Sequence, residues 1–292
     1  MCTSMPRETA MPCGMRSMID THCHLDVAEF DADRDAVLAR TRGAGVAAIV
    51  VPAIHAQGWD GLLALCASAD DLYPALGLHP VYLDRHRASD LDALERAIAE
   101  RRPLAVGEIG LDYRLPELDR AGQQTLFEAQ LSIARSADLP VLLHVLKAHD
   151  EVLATLRHAR VKGGIAHAFN GSLQQARQYL DLGFRLGFGG MLTFTRSSRL
   201  RRLAAELPGE AIVLETDAPD MTVAAHRGER NSPEYLPDVL QALADIRGES
   251  PAALDDSTTL NACDVLGLEI DGARDRSTSD HGTDQWNESL TP

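Results

Sequence analysis

The sequence predicts a single (β/α)8 barrel of the α/β class. Three observations predict it. Eight short apolar runs alternate with longer segments of helical spacing, the pattern of βα units around a parallel sheet. The 292 residues suit one barrel domain without a split. Charged or imidazole residues stand at or near the C-terminal ends of five of the runs, with an acid just after the eighth, and a barrel gathers those ends at one mouth. An open doubly wound sheet shares the local alternation, so the placement of the polar residues decides between the two.

The strands are read, in order, over Met18–His24, Ala47–Pro52, Tyr73–His79, Leu104–Leu111, Pro140–Val145, Gly164–Phe169, Arg185–Met191 and Ala211–Thr216. Helical spacing fills Arg34–Arg42, Leu91–Arg101, Gln123–Ala137, His149–Arg157, Leu173–Leu182, Ser198–Glu206, Pro233–Ile246 and Pro251–Leu266, and no helix is read between the second and third strands. Ser89 or Asp90, Ser172, and Ser232 before Pro233 are the expected helix starts. Five methionines, the last of them Met18, precede the first strong signal, so residues 1–17 are expected to be a flexible extension and 18–270 the domain. The polar stretch 271–292 is expected to be a disordered tail.

Composition narrows the function. A net charge of −15 argues against broad attachment to a polyanion, which depends on clustered Lys and Arg, so any nucleic-acid contact should be local to a cleft. Five scattered cysteines without CxxC spacing suggest neither a disulfide framework nor a structural zinc site and fit a reducing cytoplasm. No signal-peptide core and no stretch of roughly 18 uninterrupted apolar residues appears, so a cytoplasmic protein without a membrane partner is expected. No feature sets an oligomeric state, and a monomer is the expectation.

The chemistry sits at the strand ends. His22 and His24 are two apart on an extended segment and so point the same way, where two imidazoles can bind one cation. Glu108 lies inside the apolar run LAVGEIGL, where an unpaired carboxylate is costly to bury, so it needs a cation. His144 and His167 end adjacent strands and can form a second two-imidazole face opposite the first, with Glu108 between them as a bridging carboxylate. Asp217 follows the eighth strand, beside the first by barrel closure, where it can join His22 and His24 or orient a water. Asp112, Asp220 and His149 are given ordinary surface or capping roles.

These residues fall in DTHCHLD, GLHP (Gly77–Pro80), GEIGLDY (Gly107–Tyr113), PVLLH (Pro140–His144), HAFNGS (His167–Ser172) and LETDAP (Leu214–Pro219). In that order and spacing the chain resembles the TatD family of metal-dependent hydrolases, itself similar to the amidohydrolase barrels, from Ile19 to about Leu266. The resemblance implies two divalent cations, with Zn, Mn, Mg and Ni all open: one held by His22, His24, Glu108 and Asp217, the other by Glu108, His144 and His167. It implies that His79 contacts substrate phosphate and that Arg230 and Asn231 match a substrate-binding stretch. One departure concerns substrate: many relatives read His-x-Arg where this chain has His144, Val145 and Leu146, and Lys147 is the nearest replacement, a mobile point charge rather than a planar fork.

The expected activity is hydrolysis of ester bonds by a water activated between two cations, with Asp217, Glu108 and His79 as the catalytic set. The family points to DNA, cut as a 3′-5′ exonuclease on single strands. With 4% aromatic residues and no basic stripe, sequence-specific reading is not expected. The alternatives are hydrolysis of a small amide or aminoacyl ester, and a metal-binding partner protein without turnover.

Overall fold

Eight parallel strands, hydrogen-bonded in chain order, form one sheet: β1 (Met18–Asp20), β2 (Val46–Pro52), β3 (Leu72–Leu76), β4 (Ala105–Asp112), β5 (Val141–Leu146), β6 (Gly164–Ala166), β7 (Phe184–Phe188) and β8 (Ile212–Leu214). The structure, a computed structural model, describes residues 18–114 and 117–269, so the expected extension (1–17) and tail (271–292) lie outside the described residues. Edge meets edge just past β1 and β8. Thr21 donates through both its amide and its hydroxyl to the carbonyl of Leu214 (3.0 and 2.9 Å), and the Asp217 amide donates to that of His22 (2.8 Å).

The helices are α1 (Arg34–Gly43), α2 (Trp59–Cys66), α3 (Ser89–Arg101), α4 (Arg120–Ala137), α5 (His149–Ala159), α6 (Leu173–Asp181), α7 (Ser198–Glu206), α8 (Leu236–Arg247) and α9 (Pro251–Leu266). Helix α2 departs from the sequence reading. Its LLALC stretch has no polar break to mark a helical period, and Gly61 weakens the signal further. Ser172 caps α6 in a reciprocal box with Gln175, as its type favours, whereas α3 has no side-chain cap and Asp90 instead accepts from the Arg87 amide.

Apolar residues divide by strand alternation. Ala48 and Val50 of β2 face into the barrel with Ile19, Ala75, Ala105, Leu142, Ile165 and Val213; Ala262, Leu266 and Leu268 of α9 and its end join this interior cluster. Ile49 and Val51 face outward into the larger core beneath the helices. Strict alternation would send Glu108 outward with Val106. The pairing of β4 with β5 is irregular between Val106 and Ile109, and beyond it Ile109 and Leu111 occupy the outer core, which leaves Glu108 for the interior. Gly77 and Gly107 permit the close approach here: a Cβ on Gly77 would lie 2.7 Å from the Gly107 carbonyl carbon, and one on Gly107 2.6 Å from the Leu142 Cβ.

Candidate metal centre

β1, β3, β6, β7 and β8 end sooner at the mouth than the sequence suggests, so several polar residues stand on loops just beyond them. β1 stops at Asp20, β3 at Leu76, β6 at Ala166 and β8 at Leu214, leaving His22, His24, His79, His167 and Asp217 on the connecting segments, while Glu108 and His144 lie within β4 and β5. All seven nevertheless meet.

Glu108, 1% exposed, is the hub. Its Oε2 faces His22 Nε2 at 3.2 Å and His24 Nε2 at 3.4 Å, while its Oε1 faces His144 Nδ1 and His167 Nε2, both at 2.9 Å. Asp217 Oδ1 stands 3.7 and 3.8 Å from the Nε2 atoms of His22 and His24. Each oxygen of one carboxylate therefore addresses its own imidazole pair.

The outer nitrogens of these rings decide what the inner ones present. His24 Nδ1 meets the Pro52 carbonyl at 3.2 Å and His144 Nε2 meets Asp112 Oδ2 at 3.1 Å. Both partners only accept, so in a neutral ring the proton sits outside and a lone pair points at Glu108. His167 follows the same plan more loosely, its Nδ1 lying 3.8 Å from Glu215 Oε1. Lone pairs facing a carboxylate at this range repel unless a proton or a cation lies between them. The donor set thus fits divalent cations held by the two imidazole pairs, Glu108 and Asp217, in the mixed nitrogen and oxygen chemistry that zinc, manganese or nickel accept.

His79 differs. The Val81 amide donates to its Nδ1 (3.1 Å), so the neutral ring carries its proton on Nε2, which points at Glu108 Oε1 (3.3 Å). Although His79 Nε2 is close enough to Glu108 and His144 to complete a ligand cluster, this tautomer makes it a hydrogen-bond donor.

The protonation of the metal-free cluster follows from the same geometry. Burial alone raises Glu108, but the imidazoles of His79, His167, His22 and His144 outweigh it and hold the carboxyl well below its ordinary range. Burial works against a charged His24, yet Glu108 and Asp217 lift it to about 9; His167 is likewise held well above the ordinary imidazole range by Glu108. Burial lowers His79 to about 4 and raises Asp217 to about 6. Without metal, protons occupy part of the positions that cations would take.

Two buried carboxylates were not singled out from the sequence as site residues. Asp112, read there as a surface or capping residue, is fully buried and braces His144. Glu215 accepts from the Ala168 amide at 2.6 Å, and Gly187 makes room for it, since a Cβ there would lie 2.0 Å from Glu215 Oε2. Each had one signal: an acid in or directly after an apolar run. His149 is also buried, bonded to Tyr179 Oη and Asn170 Oδ1, whereas Asp220 is exposed at the cavity wall.

The centre opens into a cavity of about 1130 Å³ whose wall includes Lys147 and Leu146. Arg230 and Asn231 stand elsewhere. Arg230 pairs with Asp33 through two bonds of 2.8 Å and covers Phe30, while Asn231 ties the Thr216 and Asp220 carbonyls together beneath the loop after β8. Among the described residues no helix is long and apolar enough to cross a membrane.

Comparison with known proteins agrees with this architecture. The family model described as TatD related DNase matches residues 19–267. An Escherichia coli K12 protein named uncharacterized metal-dependent hydrolase YjjV is 43% identical over 79% of this chain and 90% of its own. Its crystal structure superposes with a TM-score of 0.84 at 38% identity, over 87% of this chain and 100% of that one. A Klebsiella pneumoniae protein named 3′-5′ ssDNA/RNA exonuclease TatD is 30% identical over 87% of this chain and 100% of its own.

Proposed function

The chain belongs to the TatD-related DNase family of metal-dependent hydrolases, and on that footing we propose that it hydrolyses phosphodiester bonds, releasing nucleotides from the 3′ end of single-stranded DNA. The observation that carries the reading is the division of Glu108 between two imidazole pairs with a neutral His79 N–H alongside. Two divalent cations bound by His22, His24, Glu108, Asp217 and by Glu108, His144, His167 would supply Lewis acidity and an activated water.

The residues of the chain do the rest. Asp217, whose Oδ1 faces the Nε2 atoms of His22 and His24, accepts a proton from the attacking water. His79, neutral because burial lowers it to about 4, offers Nε2–H to a phosphoryl oxygen as negative charge grows there. Lys147 on the wall adds a positive charge close to Leu146. A cytoplasmic address belongs to the same proposal, with Cys23 and Cys66 as buried free thiols.

Leu146, lining the cavity where many relatives carry arginine, favours one second reading, hydrolysis of a less charged amide or aminoacyl ester. Metal analysis of the purified protein, coupled to nucleotide release from single-stranded DNA and to turnover of an amide panel across several metal ions, separates the two. Nucleotide release that disappears with chelator supports the proposal. Amide turnover without nucleotide release overturns it, as does stoichiometric metal with no hydrolysis at all, the behaviour of a metal-binding partner protein.

A further inference from the structure

The cavity is larger than the roughly 300–1,000 Å³ of small-molecule clefts, at about 1130 Å³, and its wall is electrically lopsided. Arg114 beyond β4, Lys147 beyond β5, and Arg196 and Arg199 between the end of β7 and the first turn of α7 line it on one side. Glu29, ahead of α1, and Asp220, after β8, line it where the barrel closes. Arg114 is partly engaged by Asp112 at 3.4 Å. Lys147, Arg196 and Arg199 make no ion pair among the described residues.

Two of the cations are steadied without being neutralised. Arg199 donates to the Gly171 carbonyl at 3.0 Å, and the Arg196 guanidinium lies 5.3 Å from the centroid of the Phe194 ring. Each keeps donors free for an anion and loses less side-chain freedom on binding one.

We propose that Lys147, Arg196 and Arg199 form a second anion subsite, which takes backbone phosphates adjacent to the one being cut. The substrate is then an oligonucleotide strand leaving the centre over the β5 to β7 side, not a mononucleotide or a small phosphoester. This rests on the phosphodiesterase reading and extends it. Glu29 and Asp220 repel a polyanion at the β8 to β1 side and so set the direction in which the strand leaves. At physiological salt, charges act over only about 8 Å, so a local arc can attract a strand that the net charge of −15 would repel as a whole. Lys147 joins Arg196 and Arg199 from a different loop, so the three do not form one stripe in the sequence.

Fluorescence anisotropy of a short labelled oligothymidylate, measured in chelator so that no cleavage occurs, tests the subsite. The Arg196→Ala/Arg199→Ala variant is expected to bind about tenfold more weakly than the wild type, and the slope of log affinity against log salt to fall by about 1.4, two contacts at about 0.7 each. Arg96→Ala, exposed on α3, should match the wild type, and thymidine monophosphate should compete poorly with the strand. An unchanged affinity and salt slope in the double variant overturns the proposal. So does a wild type that binds the strand no better than the mononucleotide. Failure of the phosphodiesterase reading registers separately, as absence of nucleotide release from the metal-loaded wild type.

Discussion

His144 is clamped between two carboxylates: its Nε2–H donates to Asp112 at 3.1 Å and its Nδ1 faces Glu108 at 2.9 Å. Asp112 is itself fixed, accepting from the Arg114 amide at 2.8 Å while its own amide donates to the buried Gln123. A carboxylate behind a ligating imidazole fixes its tautomer and raises its basicity, and losing it typically costs about 10–100-fold in metal affinity. Asp112→Ala should therefore weaken the cation proposed for His144 and His167 by that factor and spare the one proposed for His22 and His24. Calorimetric metal titration should resolve one tight and one weakened equivalent; two equivalents of wild-type affinity would count against this role.

Asp217 and Glu108 share the centre but should fail in different ways. In the proposed mechanism Asp217→Ala removes the proton acceptor for the attacking water, and it should lower kcat by about 10²–10⁴-fold, with a melting temperature near that of the wild type. Glu108→Ala removes the carboxylate that faces both imidazole pairs and should abolish both turnover and binding of two metal equivalents. Metal content and rate measured on the same samples check both, and wild-type turnover in either variant would defeat the assignment.

Much of this was legible in the sequence, for a physical reason. Side chains at the ends of parallel strands have only one place to go in a barrel, so His22, Glu108, His144 and His167 could be brought together from strand order alone. What escaped depended on local backbone detail. The irregularity in β4 that leaves Glu108 for the interior has no signature beyond Gly107, and Asp112 looks like a strand-end acid until α4 supplies Gln123 to hold it. Arg230 resembles a substrate contact by motif, yet the nearby Asp33 of a distant segment takes its guanidinium. Helix α2 is too short and too uniformly apolar to betray its period.

The protons of the metal-free cluster give a third prediction. Burial opposes charge on His24, but Glu108 and Asp217 raise it to about 9, so below that pH the folded, metal-free protein holds a proton there. A ligating imidazole must be neutral, so metal uptake displaces that proton. Apparent affinity should fall as pH drops from about 9 towards neutrality, and uptake at pH near 7 should release at least about one proton per protein. Calorimetry in buffers of different ionisation enthalpy reads the release directly, and a metal affinity flat with pH across this window would contradict it.

Barrel closure supplies the last prediction, through Asp20. Its carboxyl, completely buried, accepts from the Thr216 amide (2.9 Å), the Thr216 hydroxyl (2.6 Å) and the His22 amide (3.2 Å), tying β1 to the segment after β8. Asp20→Ala strands these donors, each at about 1–3 kcal/mol, and should lower the unfolding free energy by roughly 3 kcal/mol or more; Asp20→Asn keeps one acceptor and should cost less. Burial also pushes Asp20 up to about 7, against the pull of its three donors. For an acid raised on folding, the native state binds more protons than the unfolded chain, so this contribution is full below the ordinary carboxylate range and is lost as pH rises through about 7. Asparagine does not titrate, so the stability gap between wild type and Asp20→Asn should narrow between pH values near 5 and near 8. Urea denaturation in chelator at the two pH values measures that gap, and a gap that does not change between them would mean that the donors hold Asp20 ionised throughout.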